Sequence, residues 1–275
     1  MAQSISLGAA SRSNLLSLQN TTSLIGRTQN RLSTGLKVSS ALDDASASFT
    51  ARTLSNRAGD LSKVKDKIDQ AVSTVTAATQ AIESATALVE QIKGLAESAK
   101  SAATAADRSS LGNQAERLSV QLDNLINDAS YNGVNLLKAT PDNLEVNFNE
   151  GSTIELTISG SNLTAANLGT DISTVTNNWG TVGDVNADIN EYTSALGQLR
   201  TAAQTFGSNS TLLSTRLDFT KTLVNTLTEG SDKLTLADLN EEGANLLALQ
   251  TRQQLGINAL SLASQSEQAV LSLFR

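Results

Sequence analysis

The sequence contains no cysteine and no histidine, and only one of its 275 residues is proline. Without cysteine, the chain has no disulfide framework and no thiol nucleophile. Without either residue, the common zinc, haem and iron–sulfur ligand sets and the Ser–His and Cys–His catalytic pairs are excluded. No glycine-rich nucleotide-binding loop occurs either. These absences predict a protein that is not an enzyme and that uses no cofactor and no metal.

Aromatic residues are also scarce, at 3%, and hydrophobic residues of all kinds make up 39%. Because a thick core usually buries more aromatic surface, alanine and aliphatic residues must carry the packing, which favours narrow seams between helices. No apolar run approaches the ~20 residues of a membrane span, so we expect no membrane partner. The first thirty residues lack a basic region followed by an apolar run, which predicts that no ordinary signal peptide is cleaved.

The net charge of −7 is unevenly distributed. Residues 1–57 carry six basic and two acidic side chains, whereas residues 228–275 carry three basic and six acidic ones. Opposite charge at the two ends favours their pairing. Residues 138–192 hold one lysine against eight acids, which argues against a nucleic-acid partner because such proteins need a basic face. We expect this segment to form a solvated outer surface.

Heptad repeats occupy both halves of the chain. Rows of apolar residues at seven-residue spacing lie on one face of a helix and need a partner helix to cover them. The rows predict long helices over about 43–99 and 185–228 that pair in a bundle. The residues assigned to bundle packing are Leu61, Ile68, Val75, Ile82, Val89, Leu196, Leu199, Phe206, Leu213 and Leu217.

The two ends predict a second helical layer. Residues 4–33 are rich in Ser, Thr, Asn and Gln, which are weak helix formers, so we expect this helix to be marginal alone. The last helix, over about 235–273, has an apolar face wider than one partner can cover. We therefore expect the ends to be disordered alone and to complete their layer only between copies. The residues assigned to assembly of this layer are Leu18, Ile25, Leu32, Leu246, Leu249, Ile257, Leu260, Val270 and Phe274.

The middle of the chain changes its periodicity. A helix starting after the break at 107–110 should end near Ser130, before a turn at Tyr131–Gly133. Two alternating stretches, 144–148 and 154–158, predict a β-hairpin, and 159–184 reads as an irregular loop with a lone Trp179. The predicted fold is mainly α, a long antiparallel helical bundle or coiled coil of paired N- and C-terminal helices with a small hairpin. Its predicted divisions are 1–42, 43–137, 138–184, 185–230 and 231–275.

Several short motifs stand out along the chain: Arg31–Gly35 followed by Asp43–Ala45, then Tyr131–Leu137, Ala237–Glu242 and Val270–Arg275. Together they resemble bacterial flagellin, in the family's order over roughly residues 1–137 and 185–275. The short middle segment is similar to compact flagellins with a short variable region.

The resemblance implies a structural subunit of the flagellar filament that serves motility. It implies export in an unfolded state, polymerisation by coupled folding of the termini, and an extracellular location without a cleaved signal peptide. The implied partners are further copies of the chain, an export chaperone, and the filament cap and junction proteins. The alternative is a hook–filament junction protein, but such proteins often carry proline after the paired acids, where this chain has Ala45. A protease-bearing flagellin is excluded by the absence of histidine, and a coiled-coil adaptor unrelated to motility is disfavoured by the ordered motifs.

Three further candidate sites occur in the sequence. Asp43 and Asp44 diverge by about 100° on a helix, so stabilising a helix N-terminus is a better interpretation than catalysis. Arg31 is either an interhelix contact or solvated.

A segment that an animal innate receptor recognises in some flagellins corresponds to Gln91, Ile92, Lys93, Gly94 and Leu95. Since Lys93 replaces an arginine of such flagellins and Gly94 replaces an acid, we predict weak recognition.

Overall fold

The computed structural model describes residues 9–151 and 155–273, with side chains described except at 9, 10, 267 and 270–273. Five helices and one hairpin make a mainly α fold, as predicted. The described residues divide into a terminal unit, drawn from 1–56 and 226–275, and a bundle unit of residues 57–225. The elements are α1 (Ala9–Thr34), α2 (Ala45–Lys100), α3 (Ala105–Asp128), β1 (Leu144–Asn147), β2 (Glu155–Ile158), α4 (Val182–Thr235) and α5 (Leu239–Leu273).

The bundle unit has one core, formed by α2, α3, α4 and the segment between α3 and α4. Of the ten heptad residues assigned to bundle packing, eight are buried in this core and Leu217 is partly buried against it; Leu61 is buried but is not part of this cluster. Alanines alternate with these larger side chains along α2, and Ala71, Ala78 and Ala85 are at most 3% exposed. Small residues let neighbouring backbones approach closely, so the core is filled with few aromatic rings.

The link between α1 and α2 is built by Gly35 and two aspartates. Gly35 adopts a φ of +71° and donates its N–H to the Arg31 carbonyl (2.8 Å), so it ends α1 as predicted. Asp44 accepts the Ala47 N–H (3.0 Å) and caps α2. Ser39 and Ser40 precede this helix, and both donate their N–H and hydroxyl groups to the carboxylate of Asp43.

Two predicted helix breaks are wrong. Thr104 accepts the Asp107 N–H (3.1 Å) and caps α3, so the polar residues 107–110 lie inside the helix. Helix α4 runs through Gly230 to Thr235. The small residues there serve close packing: the Ser231 hydroxyl donates to the Ala51 carbonyl (3.1 Å), and a Cβ on Gly230 would lie 3.4 Å from Leu54.

The hairpin is confirmed, but the loop after it differs from the prediction. β1 and β2 pair antiparallel, with Leu144 opposite Ile158 and Val146 opposite Leu156; Phe148 follows β1, and Ile154 lies outside the described residues. The prediction of a solvated outer segment over 138–192 is wrong for its apolar residues. Most of its large apolar residues are buried in or packed against the bundle core, whereas every acid of the segment except Asp188 is exposed or half-buried. The buried apolar residues of the irregular stretch are Leu163, Ala165, Leu168, Ile172, Val175 and Trp179.

Trp179 anchors this stretch at the N-terminal end of α4. Its indole N–H donates to the buried Asp188 carboxylate (2.7 Å). Asn177, Asn178 and Trp179 all have positive φ, a costly conformation for non-glycine residues that persists only where surrounding contacts impose it. Arg108 of α3 supplies such contacts by donating to the carbonyls of Trp179 (3.2 Å) and Gly180 (2.7 Å). The segment therefore closes the bundle core rather than extending from it.

Candidate assembly surface

The candidate surface is formed by α1 and α5, which pack antiparallel in the terminal unit. Arg31 near the end of α1 meets Glu242 near the start of α5, with 2.8 Å between Nη1 and Oε1. Further along, the Gln253 amide donates to the Thr22 hydroxyl (3.4 Å), and a Cβ on Gly256 would lie 3.2 Å from Cγ of Leu18. Residue numbers thus fall along α1 as they rise along α5, which fixes both the direction and the register of the pair.

The seam between these two helices is unusually polar. Among the described side chains of α1 and α5, Ile25 is the only buried apolar one. The other buried residues are Ser11, Thr21, Thr28 and Glu242. Because hydrophobic stabilisation follows the apolar area removed from water, this seam contributes much less than the bundle core.

Some leucines of both helices lie outside the seam and are exposed. At ~100° per residue, Leu247, Leu255 and Leu262 fall within an arc of about 80° on the outer side of α5. By the same rule, Leu15 and Leu24 lie about 180° apart around α1, so the exposed apolar side chains form more than one patch; exposed apolar patches mark interaction sites in soluble proteins. We call the exposed set the outer leucine face: Leu15 (40% exposed), Leu16 (61%), Leu24 (38%), Leu247 (67%), Leu255 (63%), Ile257 (47%) and Leu262 (69%).

The residues predicted for assembly divide between the seam and this face. Leu18, Leu32, Leu246, Leu249 and Leu260 are half-buried along the seam, Ile25 is buried, and Ile257 is exposed. The side chain of Val270 and the whole of Phe274 lie outside the described residues. Of the outer leucine face, only Ile257 belongs to the set assigned to assembly. The wide apolar face expected on the last helix also included Leu247, Leu255 and Leu262, but their spacing of eight and seven residues was not used to assign them to assembly.

Backbone contacts join the two segments that lead into the helix pair. The N–H groups of Lys37 and Val38 donate to the Thr235 carbonyl (2.7 and 3.2 Å), and Ala237 N–H donates to the Gly35 carbonyl (2.9 Å). Leu36 and Leu236 form an antiparallel bridge. We call these contacts, together with the Arg31–Glu242 ion pair, the clasp. The sequence left open whether Arg31 is a contact or solvated, and the structure shows the contact.

The acidic and polar groups of the described chain suggest no other chemistry. Within residues 9–151 and 155–273, no three acids are grouped as metal ligands, and no helix has the length and apolarity needed to cross a bilayer. A groove of about 760 Å³ between residues 159–167 and α4 is lined by apolar surface and by uncharged hydroxyl and amide groups, and none of its described lining residues is charged.

The predicted receptor segment lies on the bundle unit. Ile92 is fully buried in the core, whereas Gln91 and Gly94 are exposed and Lys93 and Leu95 are half-buried. Gln91, Gly94 and Leu95 line a groove of about 540 Å³ with α3. Weak receptor recognition stays a prediction.

Comparison with known proteins identifies similar chains. The N-terminal helical region of bacterial flagellin matches residues 5–142, and the C-terminal helical region matches residues 180–274. The chain is 32% identical to flagellin FljM of Caulobacter vibrioides and 34% identical to FljO of the same organism, over 95% of this chain and 96% of each relative. A crystal structure of Bacillus cereus flagellin aligns with a TM-score of 0.50 at 19% identity, covering 56% of this chain and 88% of that one; this likeness supports the fold alone.

Proposed function

The chain belongs to the bacterial flagellin family, and from that membership we propose how its terminal unit builds a polymer. It is a structural subunit of the flagellar filament, and a role in motility is implied by the family. The hook–filament junction alternative is not favoured, because both family regions and the similar proteins are flagellins. The proposal assigns assembly of the filament to particular residues of α1 and α5.

The outer leucine face becomes buried against α1 and α5 of neighbouring copies. The observation that carries this proposal is the polarity of the helix pair: four of the five buried side chains described in α1 and α5 are polar, while seven leucine and isoleucine residues are exposed. A helix pair that served only its own unit would place the leucines inside. Since the same face exists on every copy, contacts between different parts of it generate an open helical polymer.

The terminal unit folds fully only when a copy joins the polymer. Its seam removes little apolar area from water, and α1 is made largely of weak helix formers. Burial of apolar side chains against copies at the growing end would supply the stabilising free energy that the seam lacks. The predicted division of the chain then assigns 1–42 and 231–275 to the filament core, and 43–137 with 185–230 to a bundle around the short segment 138–184.

We infer the remaining partners and the location of this chain from its family membership. Flagellins are extracellular and polymerise with themselves. We also propose that the chain is exported without a cleaved signal peptide and is captured by an export chaperone. In the filament it would contact cap and junction proteins. We expect a structural protein without catalytic activity.

Seeded elongation tests the proposal. Purified chain is mixed with sonicated filament fragments, and growth is followed by light scattering and electron microscopy. The proposal predicts elongation from the seeds together with new amide protection in α1 and α5. Failure to elongate, or full amide protection of both helices in the free chain, would contradict it.

A further inference from the structure

The clasp is the part of the terminal unit whose role goes beyond holding two helices together. We infer that the Arg31–Glu242 ion pair is a positioning element that sets the register of α1 against α5, and so fixes how the exposed leucines of the two helices are spaced relative to each other. The inference rests on the proposed function, because register matters only if neighbouring copies bind that face.

The seam itself carries little information about register. Its buried members are mostly small or polar. Small and polar residues of both helices line one groove together with Leu18 and Leu255: Asn14, Ser17, Thr21, Gly256 and Ala259. A slip of seven residues would bring Leu18 opposite Leu249 or Ala263 instead of Gly256. Leu249 would put a leucine where a Cβ alone already lies 3.2 Å from Leu18 Cγ, so packing disfavours that register; Ala263 is small, so packing discriminates less against the other one.

A slip would nevertheless destroy the outer surface. Seven residues correspond to about 10 Å along a helix at ~1.5 Å per residue. The leucines of α1 would then move by that distance relative to Leu247, Leu255 and Leu262. A neighbouring copy built for the native spacing could not cover both rows together, and one row would stay in water.

The ion pair is placed to prevent such a slip. The Glu242 side chain is 9% exposed and that of Arg31 is 31% exposed, so a displaced register would leave a largely desolvated carboxylate without its partner. Fixing register is the best-attested role of a buried ionic or polar contact between helices. The backbone bonds of the clasp reinforce it, since Thr235 and Ala237 are held directly before the start of α5.

Register can be measured by disulfide trapping, because the chain has no cysteine of its own. A Cβ on Gly256 would stand 3.2 Å from Leu18 Cγ, so the Leu18→Cys/Gly256→Cys variant suits a disulfide in the native register. The variants Leu18→Cys/Leu249→Cys and Leu18→Cys/Ala263→Cys report the two slipped registers. Filaments grown on seeds from a mixture of isotope-labelled and unlabelled chains are oxidised and dissolved. Mass spectrometry of the linked peptides then separates disulfides within a chain from those between chains.

Charge reversal tests the role of the ion pair. We expect the native intrachain disulfide to exceed each slipped one at least tenfold, and Arg31→Glu to reduce that ratio at least fivefold and slow elongation. The double variant Arg31→Glu/Glu242→Arg should restore both within twofold, which a merely structural loss of either side chain would not do. Arg27→Glu reverses an exposed charge on the same helix away from the seam and should leave the ratio unchanged.

The outcomes separate this inference from the proposed function. If the unsubstituted chain elongates while Arg31→Glu keeps the native ratio, or if the double variant is not restored, the positioning role is refuted and the assembly surface stands. If the unsubstituted chain does not elongate on seeds, the proposed function fails with it.

Discussion

Replacing Leu247 by glutamine should impair assembly without impairing the folded subunit. The side chain is 67% exposed in the isolated chain, so its substitution should change the stability of the subunit by no more than ~0.5 kcal/mol. Full burial of a leucine stabilises by about 1.5–3 kcal/mol. If a neighbouring copy covers the exposed two thirds, the loss is about 1–2 kcal/mol for each subunit added.

This free energy sets the expected change in critical concentration. Because ~1.4 kcal/mol corresponds to a factor of ten in an equilibrium constant, the Leu247→Gln variant should leave about five to thirty times more soluble protein at equilibrium with filaments. The assay is sedimentation after seeded growth, with the supernatant quantified once scattering is constant. Thermal unfolding of the unpolymerised variant checks that the fold is retained.

Val120→Gln is the matched control. Val120 is 55% exposed on α3 and belongs to no surface assigned to assembly, so its substitution should leave the critical concentration within twofold of the original. An unchanged critical concentration in Leu247→Gln would refute the reasoning. An equal rise in the control would show that any exposed apolar residue matters, which would remove the special role of the outer leucine face.

Three further predictions concern the bundle unit. Burial, with smaller contributions from Asp188 and other carboxylates, raises the pKa of the Tyr192 phenol; the unfolded chain therefore loses this proton first, and stability should fall as pH rises above ~10. In Tyr192→Phe that component of the alkaline loss should vanish in urea unfolding measured across pH 9–11. Asp188→Ala leaves the buried Trp179 indole N–H unpaired, which should cost about 1–3 kcal/mol and shift emission of the only tryptophan to longer wavelength. Purified monomer should stimulate receptor-expressing cells weakly, because Lys93 and Gly94 replace an arginine and an acid of recognised flagellins.

Each of these has an outcome that contradicts it. Equal alkaline destabilisation of the original chain and of Tyr192→Phe would exclude the phenol as a cause. Unchanged emission and urea midpoint in Asp188→Ala would mean that the indole finds another acceptor. A strong cellular response would refute the prediction of weak recognition.

Heptad spacing predicted the bundle core because packing there follows one periodic rule. Leu61 to Val89 on α2 and Leu196 to Leu213 on α4 all lie where a seven-residue repeat places them. Gly35 and the Tyr131–Gly133 turn were also predictable, since positive φ at Gly35, Asn132 and Gly133 favours glycine and asparagine.

What the sequence did not reveal depends on contacts between distant segments. Trp179 looked isolated because its partners, Arg108 and Asp188, come from two other helices. Gly230 looked like a helix end because the close approach of Leu54 cannot be seen from local propensity. In α5 the apolar residues surround much of the helix, so periodicity alone could not tell the seam from the outer face.

Hydroxyl-radical footprinting of leucine side chains, compared between the free chain and seeded filaments, tests the central claim most directly. Leu247, Leu255 and Leu262 should label readily in the free chain and lose most of that labelling in the filament, while Val120 on α3 serves as the reference. If the three leucines label equally in filaments and in free chains, the outer leucine face is not where copies of this protein meet.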